Sequence, residues 1–194
     1  MKRLLKPEDI ISNESYLKIR EIKRKEIIQI KKNRRVSLGP YATFSFENYD
    51  TMWYQVQEML RIECGGLEQL NEELDAYNPL IPSNSELIAT FMIEIENAVK
   101  RNIELRQLTN IEKKIELKVK DSVTIAVPEE DVSRTKDDGK TSAVHFIKFL
   151  LDKKFKNLFC DLENKVELKI NHPNYSHSTI LTTKAHESLI NDLT

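Results

Sequence analysis

Apolar and polar residues alternate with period two in some stretches and recur near every 3.6 residues in others, and the switches between these patterns outline the elements. Pro7 with Glu8 and Asp9 predicts a short helix over 7–11, because proline needs no N–H partner there and the acids suit the positive helix end. Ser12 or Asn13 caps a helix over 14–33 that places Tyr16, Ile19, Ile27 and Ile30 roughly along one stripe. Residues 36–38 and 41–47 read as strands joined at Gly39-Pro40, the second putting Ala42, Phe44 and Phe46 opposite Thr43, Ser45 and Glu47. Asp50 or Thr51 caps a helix over 51–63 with an apolar seam of Met52, Val56, Met59 and Leu60, and Cys64-Gly65-Gly66 supplies its stop.

An acidic helix over 67–77 follows, and Asn78-Pro79 and Pro82 enforce an extended connection. Residues 86–96 alternate as a long half-buried strand, Asn97 caps a helix to 108, and two strands follow around a turn at Lys120-Asp121. The polar stretch 128–140 is expected to be a flexible loop. A strand over 141–149 puts Ala143, His145, Ile147 and Phe149 on one face; after an amphipathic piece over 152–160, Val166, Leu168, Ile170 and His172 share a face of the next. Pro173 starts a turn, and Thr182 or Thr183 caps a last helix on which His186 is expected to face solvent. Strands that alternate rather than run continuously apolar predict an α+β fold: an antiparallel sheet of about six or seven strands, helices covering one face, and helices at both ends.

The 194 residues suit a single domain, with 1–34 as a helical segment and 35–194 as the α+β core. Lys plus Arg (30) nearly balances Asp plus Glu (31), so bulk charge selects no partner class. The first residues hold no signal-type apolar run and no stretch approaches the roughly 18 apolar residues of a membrane span, which predicts a cytoplasmic protein without membrane contact. Cys64 and Cys160 belong to no C-x-x-C pair, so reduced thiols are expected. Lys18, Arg20, Lys23, Arg24, Lys25, Lys31, Lys32, Arg34 and Arg35 make the first long helix basic, but no aromatic residues interleave with them, and a solvated face is preferred to a nucleic-acid footprint.

Two constellations carry candidate chemistry. His145, His172 and His177, with Glu58 or Glu63, supply the imidazole and carboxylate donors that hold iron, manganese or zinc, although no H-E-x-x-H, E-x-x-H or H-x-H spacing occurs. A core histidine satisfied by a hydrogen bond is the competing reading, above all for His145. Gln55, Gln57, Glu58, Arg61 and Glu63 crowd one helix; Glu58 or Gln57 can pair with Arg61 along it, or Glu58 with Gln55 can line a cleft against the sheet. The four glycines form no phosphate-binding loop, and no nucleophile elbow is present.

Gly39-Pro40 with Thr43 and Phe46-Glu47-Asn48, then Gln57-Glu58-Met59 with Arg61 and Glu63, then the run from Glu73 to Pro82, Thr141 to Phe146, and His172-Pro173 with Tyr175 resemble, in order, an uncharacterised bacterial family catalogued as domain-of-unknown-function family 3501. The family pattern falls on Glu47, Gln57, Glu58, Arg61, Tyr77, Asn78, His145 and His172, while Tyr41 and Asn171 stand where relatives often have histidine and aspartate. The resemblance brings no activity. It implies a gene context beside rubrerythrin and an iron–sulfur oxidoreductase, and hence an accessory role in electron transfer or peroxide defence.

These readings combine into an accessory or interaction protein of a rubrerythrin and iron–sulfur system, with one Fe, Mn or Zn ion as a candidate cofactor. The alternatives are a small metal-dependent enzyme with its cleft between the 51–63 helix and the His145 and His172 strands, and a nucleic-acid binder acting through 18–35.

Overall fold

Every α-helix but the third starts at a side chain that accepts one of its free N–H groups. Ser12 accepts from Ser15 and opens α1 (Asn13–Lys32), Asn97 opens α4 (Ala98–Gln107), Asp152 opens α5 (Lys153–Phe159) and Thr182 opens α6 (Thr183–Ile190). The computed structural model describes residues 4–129 and 139–193. Helix α2 (Tyr49–Glu63) departs from expectation: its cap is Asn48, which accepts from the Thr51 N–H while the Thr51 hydroxyl accepts from the Asn48 N–H. Thr51 is thus the reciprocal partner in the first turn rather than the cap. At the other end Cys64, not a glycine, takes the left-handed conformation, with φ 55°. Helix α3 (Gly66–Tyr77) follows directly.

Nine strands among the described residues form two antiparallel sheets, so the α+β class holds while the expected single sheet is divided. The first sheet has the order β1 (Arg35–Leu38), β2 (Ala42–Phe46), β3 (Glu86–Ile93), β7 (Val144–Leu150), β6 (Val127–Pro128). The second has the order β5 (Ser122–Ile125), β4 (Ile115–Val119), β8 (Val166–His172), β9 (Tyr175–Ile180). Pro128 is thereby a strand residue, and residues 130–138 of the expected loop lie outside the described residues. Strand β9 was hidden in the predicted turn after Pro173, because it is an edge strand with only Tyr175 buried and shows no apolar alternation.

The division follows from which faces are apolar. Phe44, Phe46, Ala89, Phe91, Ile147 and Phe149 on the inner face of the first sheet join Ile115, Leu117, Val166, Leu168 and Ile170 of the second in one core, closed by Phe155, Phe159 and Leu189 from α5 and α6. The outer face of the first sheet is covered in turn: Ile88 packs with Leu5, Met52, Val56, Leu60, Leu74, Leu80 and Ile81 beneath α2, α3 and the N-terminal segment. Strand β2 is therefore buried on both faces, polar Thr43 and Ser45 included. Among the described residues no helix is long and apolar enough to cross a membrane.

Candidate functional site

A covered polar face leaves hydrogen-bonding groups away from bulk water, and these must find partners. On β2 and β3 such groups line a cleft of about 240 Å³, formed by Lys31, Ser45, Glu47, Met52, Gln55, Tyr77, Leu80, Thr90, Met92 and Phe146. Strand pairing sets Ser45 opposite Thr90 and Thr90 opposite Phe146, while Gln55 descends from α2 and Tyr77 from the end of α3. Glu47, only 4% exposed, accepts from the Thr90 hydroxyl through Oε1 at 2.7 Å. Its Oε2 is buried and has no hydrogen-bond partner among the described residues.

Leaving a buried acceptor unmet costs roughly 1–3 kcal/mol, and more when it is charged, so this oxygen is costly unless something outside the chain satisfies it. Lys31 reaches the same cleft, yet no ion pair joins it to Glu47. Tyr77 accepts a long hydrogen bond from Gln55, at 3.5 Å. Burial pushes its hydroxyl above the ordinary phenol range, so it stays protonated and offers a donor.

Of the residues singled out in the sequence, Glu47, Gln55 and Tyr77 meet in this cleft. The others serve the fold. Gln57 bonds both backbone groups of Ile11, and Asn78 both backbone groups of Leu5. Glu58 does not line a cleft with Gln55: it accepts from Tyr16 at 2.7 Å, from Arg20 at 2.8 and 3.0 Å and from Arg61 at 3.1 Å, riveting α1 to α2. Those bonds, Arg20 first, hold its carboxyl down at about 2. Glu63 accepts from Gln69 at 3.2 Å. Ser45, Thr90 and Lys31 were not among the candidate site residues; the available signal was the polar face of β2 and β3.

A family model described as "Protein of unknown function (DUF3501)" matches residues 4–193. The chain belongs to this family. No curated protein matches it. The DUF3501 chain is also similar to a solved structure, a novel protein of unknown function from Burkholderia pseudomallei K96243, with 34% identity and a TM-score of 0.91 over 99% of this chain and 100% of that one.

The histidines of the DUF3501 chain are dispersed. His145 shares the inner face of β7 with Ile147 and Phe149, whereas α2 covers the outer face, so Glu58 and His145 lie on opposite sides of the first sheet. Within the core His145 is fully buried, stacks on Phe91 at 5.6 Å, contacts the Ser142 carbonyl at 2.9 Å and the Thr141 hydroxyl at 3.2 Å, and lies 3.8 Å from Glu112. His172 ends β8 in the second sheet, accepting from the Asn174 N–H and meeting the Thr109 carbonyl, both at 3.2 Å. His177 sits on the exposed edge strand, edge-on to Tyr175. Among the described residues no three His, Cys, Asp or Glu side chains group closely enough to hold a metal. His145 does not face α2, while its neighbour Phe146 on β7 does line the cleft beneath α2.

His186 also corrects its prediction: it is buried on α6 with a ring nitrogen 2.6 Å from the Phe159 carbonyl. Of the seven basic residues of α1, Lys18, Arg20 and Lys23 are paired within the chain. Their partners are Glu14, Glu58 and Glu26, and beyond the helix Arg34 pairs with Asp192 and Arg35 with Glu94.

Proposed function

We propose that this DUF3501 protein is a ligand-binding accessory protein rather than an enzyme, and that its ligand presents an ammonium or similar donor to Glu47 in the cleft beneath α2 and α3. One observation carries this reading: a buried carboxylate with one oxygen satisfied by Thr90 and the other without a hydrogen-bond partner among the described residues. A cationic donor there gains a charge-assisted hydrogen bond to a buried carboxylate, while Met52, Leu80, Met92 and Phe146 supply apolar contact. Lys31 is the competing cation at the same cleft.

Ligand-observed NMR with a panel of primary amines, amides and carboxylates tests the proposal. Amines bind, lose about tenfold or more in affinity in Glu47→Gln, and bind more tightly in Lys31→Met. Hits indifferent to Glu47→Gln in a folded variant sink it. The accessory role beside rubrerythrin and an iron–sulfur oxidoreductase rests on the gene context that the family resemblance implies, and a binding protein fits that role. Retention of rubrerythrin by the immobilised chain supports it; elution of the chain alone at matched concentrations speaks against it.

A further inference from the structure

We infer that the ligand of the Glu47 cleft is bipolar, carrying an acidic group that reaches Lys148 across an apolar span. This rests on the binding reading above and adds the ligand's second end.

Strand register places the two ends. The Glu47 N–H bonds the Ile88 carbonyl at 2.8 Å, and Ile88 stands opposite Lys148 on β7, so the three residues form one row across the outer face. Neighbouring strands lie roughly 4.8 Å apart, which sets the backbones of Glu47 and Lys148 about 10 Å from each other. Lys148 lines a second cleft of about 290 Å³ with Pro79, Leu80, Ile88, Pro128, Glu129 and Phe146. Leu80 and Phe146 line both clefts, and Ile88 is 1% exposed beneath them. The two clefts thus adjoin at Leu80 and Phe146, with Glu47 lining one and Lys148 the other.

No ion pair engages Lys148 among the described residues, and its long stem can follow the cleft toward a bound acid. Glu129 lines the same cleft and opposes an acid by charge.

Calorimetric titration of the full chain compares 6-aminohexanoate, its neutral isostere 6-aminohexanamide, and hexamethylenediamine at low salt. The acid binds about 5–10-fold more tightly than the amide, this advantage vanishes in Lys148→Met, and it grows in Glu129→Gln, while the amide binds wild type and Lys148→Met alike. An acid no tighter than the amide, or a diamine tighter than both with loss in Glu129→Gln, overturns the inference and leaves the amine site standing. Absence of binding by all three ligands, or binding unchanged in Glu47→Gln, overturns the amine site itself and the inference with it. Thermal unfolding of each variant confirms that it is folded; Lys148 is half-buried at the cleft, and its replacement by methionine keeps the stem.

Discussion

Gln57 holds Ile11 as a neighbouring strand would: its Oε1 accepts the Ile11 N–H at 2.9 Å and its Nε2 donates to the Ile11 carbonyl at 3.2 Å. The amide is fully buried on α2, and the segment before α1 has no other backbone partner at that residue among the described contacts. Gln57→Ala leaves two backbone groups to find water or go unmet, at a cost of about 1–3 kcal/mol. Denaturant unfolding reads that loss, and Gln57→Glu, whose carboxyl supplies both an acceptor and an O–H donor when protonated, falls between alanine and wild type at low pH and loses stability as it ionises.

Glu58 gives the fold an acid sensitivity of known sign. Its carboxyl titrates at about 2 in the folded chain against 4.5 for an unperturbed group, chiefly through the Arg20 hydrogen bond, with Tyr16 and Arg61 adding to it against the effect of burial. The stability it contributes is therefore complete above pH 4.5 and lost as pH falls toward 2. In Glu58→Gln the unfolding midpoint loses part of its dependence on pH within that window, and the wild type and variant curves converge at the acid end.

The turn between β1 and β2 is held by Tyr175, whose hydroxyl donates to the Leu38 carbonyl at 2.6 Å and accepts from the Ala42 N–H at 3.1 Å. Gly39 lies beneath it with φ +69°, and a Cβ there would stand 2.5 Å from the hydroxyl and 2.7 Å from His177 Cδ2. Gly39→Ala adds a left-handed penalty of about 1–2 kcal/mol to that clash. Its unfolding midpoint drops below that of Tyr175→Phe, which loses only the hydroxyl.

Cys64 shows the reverse case. It occupies the left-handed position that ends α2, where a glycine carries no Cβ penalty, and it is exposed. Cys64→Gly raises stability by about 1 kcal/mol after the unfolded-state entropy of glycine is set against the relief of strain. Equilibrium unfolding in reducing buffer measures it; a decrease would mean that the contact of the thiol with the Arg61 carbonyl, 3.4 Å away, matters more than the backbone.

The sequence disclosed the elements better than their arrangement. Alternation in β2, β3, β7 and β8 is regular because each has one face in the shared core, and caps such as Asn97 follow from local chemistry. What alternation cannot report is the fate of the polar face. Thr43, Ser45, Glu47 and Thr90 look solvent-facing on a strand, and only the packing of α2 and α3 over them turns Glu47 into a buried group. His145 lies on the apolar face that its register predicts, but its distance from Glu58 depends on which side of the sheet α2 covers. His186 failed differently, since a short helix wedged against Phe159 has more of its circumference buried than its apolar stripe suggests.

Arg34 is 2% exposed and gathers three parts of the chain: it donates to the Phe46 carbonyl at 2.8 Å, to the Glu47 carbonyl at 3.0 Å, and to Asp192 beyond α6. The backbone carrying the cleft carboxylate is therefore moored, through a single guanidinium, to a residue 145 positions later. A fusion or deletion that disturbs Asp192 is felt as altered ligand affinity before it is felt as loss of the helix, and an affinity handle belongs at the opposite terminus.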